Sequence, residues 1–331
     1  MALLEINDLH IEVVTRSGVL HAVRGINLAV EPGETLCIVG ESGCGKSLTA
    51  LSITGLLPPV VRCSAAKLAF EGRDILRMTR CELEDLRGKG IGFIFQDPMT
   101  GLNPTMTIGR QLMEVHLRHV DRNRGAARSS AVSLLTRVGI ANAADRMPQY
   151  PHELSGGLRQ RVMIAMALMA HPKLIIADEP TTALDVTVQA QVLSLLKSLQ
   201  REHGIGFIFI THDLGVVGAI ADRVAVMYAG EIVETGKARQ VLTGPRHPYT
   251  RALVSCVPST VPPPKGISVA LGTIPGRVPL LAREIEGCTF APRCALAEDR
   301  CRVGAIPARP DGATEICRCL FAAERKDPIH A

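Results

Sequence analysis

Gly40, Glu41, Ser42, Gly43, Cys44, Gly45, Lys46 and Ser47 stand in the order G-x-x-x-x-G-K-[ST], an arrangement that can cradle the phosphates of a nucleotide. The glycines let backbone N–H groups close around the oxygens, and a helix starting near Lys46, with Leu48 in its first turn, directs its positive end at them. In this reading Lys46 reaches the β- and γ-phosphates and Ser47 offers a hydroxyl to a magnesium ion. Asp178 closes the apolar run Leu174-Ile175-Ile176-Ala177 and supplies that ion with a carboxylate. Glu179 follows at the same strand end, held where it can take a proton from an attacking water. A bare glycine-rich turn would not have a strand before it, a helix after it and a strand-terminal Asp-Glu downstream.

A second glycine run, Leu154-Ser155-Gly156-Gly157-Leu158-Arg159-Gln160, carries different chemistry. Ser155 suits a helix N-cap, and the two glycines expose N–H groups of a helix that reaches Met169 and stops at His171-Pro172. With no lysine beside it, this helix end suits the γ-phosphate of a nucleotide held by another subunit. An ordinary capped helix is the plainer alternative, and Met163, Met166 and Met169 read as core packing. Gln96 and His212 each end a short apolar run; taken singly, such a glutamine is more often a surface residue and such a histidine structural.

Several elements must position these groups. Short β-rich runs at 9–14 and 25–30 flank a turn at Thr15-Arg16-Ser17-Gly18 and predict an antiparallel sheet. Apolar strands at 36–39, 91–95, 174–177 and 206–210 predict a buried parallel sheet inside a layered α/β core. Residues 98–170 lack a convincing strand and hold helical stretches at 108–120 and 126–138, the pattern of a helical insert. A strand at 224–228 turns at Ala229-Gly230 and returns over 231–235. Composition changes near Gly244-Pro245, and V-P-S-T-V-P-P-P over 257–264 reads as a semi-rigid linker. The expected division is therefore 1–245 and 246–331, with a small cysteine-bearing module at 268–330. No internal repeat is visible.

Composition narrows the function. The chain has 331 residues and a net charge of +5, with no long block of one sign. No Trp and 3% aromatics leave few platforms for stacking bases, so nucleic acid is not an expected partner. No run is long and apolar enough to span a bilayer, and Met1-Ala2-Leu3-Leu4-Glu5 lacks the basic start of a secretory signal. A cytoplasmic chain with a peripheral membrane role is expected. In that compartment the ten cysteines read as thiols or metal ligands.

The phosphate cradle followed by Leu-Ser-Gly-Gly resembles the ATPase subunits of ABC transporters. That resemblance implies ATP and Mg2+ as ligands, a P-loop core with a helical subdomain, and a site completed by a second subunit. It makes Gln96 the Q-loop glutamine that senses magnesium or the attacking water. It makes His212, in Ile210-Thr211-His212-Asp213, the switch histidine, and Asp185, in Thr182-Ala183-Leu184-Asp185, the D-loop aspartate. Longer stretches resemble the D-type ATPase of bacterial dipeptide and oligopeptide permeases: Gln96-Asp97-Pro98-Met99-Thr100-Gly101-Leu102-Asn103-Pro104, Tyr150-Pro151-His152-Glu153, and Arg246-His247-Pro248-Tyr249-Thr250. The partners so implied are a similar but distinct F-type ATPase, two integral membrane permease subunits and a periplasmic or extracellular solute-binding protein. The location implied is the cytoplasmic face of the inner membrane. Three residues depart from the family pattern: Cys44 inside the P-loop, Leu158 in the signature, and Val13 where an aromatic often stacks on adenine. Val13 is expected to weaken adenine binding or its selectivity.

Cys288, Cys294, Cys301 and Cys317 have the spacing C-x5-C-x6-C-x15-C, irregular beside the paired C-x2-C of zinc sites. A metal, a structural zinc or free thiols all remain open on spacing. Related permease ATPases carry such a tail around a four-iron four-sulfur cluster, and Gly287-Cys288 with Ala291-Pro292-Arg293-Cys294 matches that pattern, with Cys319 able to replace Cys317 as fourth ligand. Nickel or glutathione import, and a soluble ABC-type ATPase of iron–sulfur assembly or nucleic-acid repair, are the alternatives to peptide import.

Overall fold

The first thirty residues alternate apolar and polar side chains and form a long hairpin, β1 (Leu4–Thr15) and β2 (Gly18–Val30), paired antiparallel. Both strands outrun the expected segments because register shifts between Ile6 and Leu9 and between Leu9 and Ile11 keep the apolar side chains inward across an interrupted pattern. The structure, a computed structural model, describes residues 2–16, 18–181, 186–257, 272–279, 285–310 and 315–322. After the hairpin come β3 (Thr35–Val39), α1 (Lys46–Ile53), β4 (Val61–Ser64), β5 (Lys67–Phe70) and β6 (Arg73–Asp74). The short β4, β5 and β6 complete the antiparallel sheet, in the order β2-β1-β5-β6 with β4 also on β1. None of the three is foreseen from sequence, since each is too short to show a period.

The chain continues through α2 (Arg80–Asp85), β7 (Ile91–Ile94), α3 (Pro98–Gly101), α4 (Ile108–His119), α5 (Arg124–Arg137), α6 (Ala143–Arg146) and α7 (Gly156–Leu168). As expected, residues 98–170 hold helices and no strand. Met163 and Met169 are buried there with Leu112, Leu135 and Val162, and Met166 packs against them. Next come β8 (Leu174–Asp178), α8 (Val186–His203), β9 (Gly206–Thr211), α9 (Leu214–Ile220), β10 (Arg223–Tyr228), β11 (Glu231–Lys237), α10 (Ala238–Thr243), α11 (Pro248–Ser255), β12 (Arg309–Pro310) and β13 (Ile316–Cys317).

The second sheet has the order β12-β13-β11-β10-β3-β9-β8-β7, and β10, β3, β9, β8 and β7 run parallel. Its middle strands are apolar on both faces because both are covered. Cys37, Val39, Ile175, Ala177, Phe207 and Phe209 face the helical side. Leu36, Ile38, Leu174, Ile176, Ile208 and Ile210 face the core shared with the antiparallel sheet. Pairing and packing cross the expected division at 245/246. Residues Thr235 and Glu234 of β11 pair with Ile316 and Cys317 of β13, and Tyr249 and Phe290 are buried in the main core. The expected linker lies outside the described residues from 258 onward.

Candidate nucleotide site

Four adjacent parallel strands, β3, β9, β8 and β7, end at one edge of the sheet, the place where open α/β sheets bind ligands. Register brings the ends level, with Val39 opposite Thr211, Asp178 opposite Ile210 and Ile94 opposite Ala177. The residues that follow, Gly40, His212, Glu179 and Gln96, therefore share that edge.

The turn from β3 into α1 needs its glycines. Gly45 holds φ at +105°, and a Cβ there would stand 2.6 Å from the Ala22 carbonyl oxygen. The first-turn N–H groups of Lys46, Ser47 and Leu48 have no acceptor within the helix. Lys46 is buried, and its Nζ donates to the carbonyl oxygens of Gly40 at 2.8 Å and Glu41 at 3.0 Å. Ser42, Gly43 and Ser47 are exposed. Cys44 points into the core, where burial pushes its thiol up. The departure at this position is thus accommodated by packing, with the Cys44 sulfur 3.7 Å from Lys46 Nζ.

Asp178 is buried at the end of β8. Burial, joined by the charge of Glu179, raises its carboxyl, while a hydrogen bond from Ser47 and the charge of Lys46 pull the other way. Its Oδ1 is buried without a hydrogen-bond partner among the described residues. An orphaned carboxylate oxygen beside a serine hydroxyl is a donor set that fits magnesium, a hard cation that takes oxygen ligands.

Glu179 adopts φ of +44°, a left-handed conformation a glutamate rarely holds, and its N–H donates to the Ile210 carbonyl at 3.0 Å. Gln96 Nε2 donates to Glu179 Oε2 at 3.2 Å, and His212 Nδ1 lies 3.3 Å from Glu179 Oε1. Three residues from three strand ends thus meet. The chain turns sharply after two of them: Asp97 caps α3 by accepting the Met99 N–H, and Asp213 caps α9 by accepting the Gly215 N–H.

The signature run opens α7. Ser155 occupies the N-cap but its side chain makes no capping hydrogen bond, and it is exposed. A Cβ on Gly156 would meet nothing within 4 Å among the described residues, and one on Gly157 would only touch Val188 Cγ1 at 3.4 Å. Packing within the chain does not explain the glycine at 156. Gln160 is buried with its Nε2 unpartnered, so it faces the core instead of the exposed helix end. Leu158 is half-buried against the main core. Val13 is half-buried in β1, between Leu20 and Val61. Asp185 lies outside the described residues.

Sequence reasoning missed the support beneath the loop. Glu234 is buried and accepts the N–H groups of Arg246 and His247, both at 2.9 Å. His247 Nδ1 accepts the Tyr249 N–H, and the Tyr249 hydroxyl accepts the Glu41 N–H at 2.9 Å. The His247-Pro248-Tyr249-Thr250 element, legible as a family mark, is a strut under the phosphate cradle.

Cys288, Cys294, Cys301 and Cys319 line one small apolar pocket with Phe290 and Phe321. Cys317, read from sequence as the fourth ligand, does not line it. Its backbone on β13 pairs with Glu234 and Arg309, and its side chain is buried beside the pocket, in one cluster with Cys301 and Cys319. Among the described residues no group of three or more His, Cys, Asp or Glu could hold a metal ion, so the expected metal site, zinc included, finds no support there.

A phosphate cradle, a strand-end Asp-Glu, a glutamine and a histidine on that glutamate, and an open Ser-Gly-Gly helix end together define an ABC-type ATPase. The ABC transporter family matches residues 23–182, and the oligopeptide/dipeptide transporter C-terminal region matches residues 233–301. The oligopeptide transport ATP-binding protein OppD of Bacillus subtilis (strain 168) is 51% identical over 296 residues, 89% of this chain and 82% of that one. The dipeptide transport ATP-binding protein DppD of the same organism is 48% identical over 88% of this chain and 86% of its own. The dimeric structure of MJ0796, a bacterial ABC transporter cassette, superposes with a TM-score of 0.65 at 27% identity, over 71% of this chain and 99% of that one. The chain belongs to the ATP-binding proteins of the ABC oligopeptide/dipeptide transporter family. It is an ATPase, and among its described residues no helix is long and apolar enough to cross a membrane.

Proposed function

We propose that this chain hydrolyses ATP to power the import of dipeptides or oligopeptides, working on the cytoplasmic face of the cell membrane with two integral permease subunits, a solute-binding protein and a second, F-type ATPase. The observation that carries the reading is the joint match of the cassette and of the peptide-transporter C-terminal region in one chain.

In this mechanism Lys46 leaves the Gly40 and Glu41 carbonyls and meets the β- and γ-phosphates, while the first-turn N–H groups of α1 hold their oxygens. A magnesium ion held by Ser47 and Asp178, and sensed by Gln96, supplies charge neutralisation across those phosphates when bound. Glu179 accepts a proton from water as the water oxygen bonds to the γ-phosphorus, and the bond to the bridging oxygen breaks, releasing ADP and phosphate. Gln96 and His212 hold that carboxylate in place. Ser155, Gly156 and Gly157 serve the γ-phosphate bound by the other ATPase, an interface at which the family resemblance also assigns Asp185 a role. The helical subdomain, about 98–170, passes the motion to the permease, and 246–331 forms the peptide-permease-type extension.

The cysteine pocket we read as holding a four-iron four-sulfur cluster on Cys288, Cys294, Cys301 and Cys319. The four cysteines line one apolar pocket and thiolates are the usual ligands of such clusters, but as placed they form no metal-holding group, so their side chains would have to converge to bind the cluster. Burial pushes the Cys288 thiol up to about 11, so a bound cluster would have to displace its proton.

The test is co-expression with peptide-permease membrane subunits and a solute-binding protein. This chain should copurify with the membrane subunits, and its ATPase rate should rise when peptide-loaded binding protein is added. A chain that purifies free of membrane subunits, with a rate indifferent to peptide, would favour the alternative of a soluble ABC-type ATPase.

A further inference from the structure

Glu41, the second residue of the phosphate cradle, is gripped by the far end of the chain. Its carboxylate receives both arms of the Arg293 guanidinium, Nη1 at 2.7 Å and Nη2 at 3.0 Å. The same guanidinium donates from Nε to the Pro275 carbonyl at 2.8 Å, from Nη2 to the Ile274 carbonyl at 3.2 Å, and from Nη1 to the Tyr228 hydroxyl at 3.3 Å. All five of its donors are thereby used. The Arg293 side chain is 5% exposed, and its guanidinium carbon lies 5.7 Å from the centroid of Tyr228 and 5.9 Å from that of Phe290.

The placement has an electrostatic consequence. A carboxylate next to a phosphate cradle repels the nucleotide unless its charge is met, and Arg293 meets it with a planar fork that lysine cannot reproduce. There is a geometric consequence as well, since the Glu41 carbonyl is one of two that hold Lys46 Nζ. Arg293 fixes Glu41 from its side chain while Tyr249 fixes its N–H.

We propose that Arg293 is a positioning residue of the nucleotide site: acting through Glu41, it cancels the charge that would repel ATP and fixes the loop that holds Lys46. The C-terminal extension is then part of the phosphate cradle as well as a family-specific appendage. This rests on the reading of residues 40–47 as that cradle.

The test measures MgATP affinity and saturating turnover of the full-length chain in its transporter complex. Arg293→Met should weaken MgATP binding about tenfold, with kcat at saturation close to that of the unaltered protein. Adding Glu41→Gln to it should recover most of the affinity, because the repelling charge is gone. Arg318→Met is the control. It unties the same extension from the Ile232 carbonyl of β11 and loosens it internally at the Ile306 carbonyl without touching Glu41, and should leave affinity within about twofold. Arg293→Lys, which keeps the charge and loses the fork, should fall between and serves if the methionine variant does not fold. Equal losses in the Arg293 and Arg318 variants, or no recovery on adding Glu41→Gln, would overturn the proposal. Lys46→Ala separates the two readings: unimpaired ATP binding in that variant would remove the cradle itself, whereas its loss beside an unaffected Arg293→Met removes only the role of Arg293.

Discussion

Glu179→Gln keeps the shape of the side chain and an oxygen to accept from Gln96, but removes the negative charge and the base. In the structure one carboxylate oxygen accepts from Gln96 at 3.2 Å and the other faces His212 at 3.3 Å, so the amide fits without rearrangement and only the chemistry changes. A positioned general base contributes about 10²–10⁴ in rate, equivalent to about 3–6 kcal/mol of barrier at about 1.4 kcal/mol per factor of ten. Binding should move oppositely, since a charge beside the phosphates is lost, and Asp178 loses one of the influences that raise its carboxyl. The assay is phosphate release in single turnover on the assembled complex, alongside MgATP affinity by equilibrium binding. The expected result is turnover reduced at least about a hundredfold, with affinity equal or tighter. Turnover within about tenfold of the unaltered protein would refute the assignment of Glu179 as base, and lost ATP binding would show that the residue serves the fold instead.

Gly156→Val, at a position where a Cβ meets nothing among the described residues, should change stability by no more than about 0.5 kcal/mol in thermal unfolding. It should nevertheless abolish ATPase activity of the complex, by blocking the phosphate bound in the other subunit. Cys319→Ser should remove iron and acid-labile sulfide from anaerobically purified protein, whereas Cys317→Ser, outside the pocket, should retain both; the opposite pattern would return the fourth ligand to Cys317. His247 gives a pH signature, since burial pushes its imidazole from the ordinary 6.5 down to about 3. Below 6.5 the unfolded chain takes up a proton the folded one refuses, so this stability is complete above 6.5 and is lost as pH falls toward 3. The slope is at most about 1.4 kcal/mol per pH unit in urea unfolding. Glu234, whose carboxyl burial raises, binds its proton more readily in the folded state and opposes that loss at the acid end.

The parallel strands and the phosphate cradle were legible because each is a local signal: an unbroken apolar run, a glycine spacing, an Asp-Glu at a strand end. Gln96, Glu179 and His212 were legible one at a time, and the parallel order of β7, β8 and β9 explains why they meet. The edge formed by β13 on β11 and the grip of Arg293 on Glu41 were not legible. Arg293 and Glu41 are separated by 252 positions, and nothing in either neighbourhood encodes a partner so distant. The choice of fourth cysteine was not legible for a related reason: Cys317 and Cys319 are equivalent by type and share one buried cluster, and only Cys319 lines the pocket. Short strands such as β4 and β6 escaped because two to four residues carry no period to read.

The most direct test of peptide import is uptake by proteoliposomes holding this chain with its permease and ATPase partners, loaded inside with MgATP and given labelled peptide with the binding protein outside. Accumulation that requires internal ATP and disappears with Lys46→Ala in this chain is the predicted result. Peptide that equilibrates without ATP, or accumulates equally with Lys46→Ala, would contradict it.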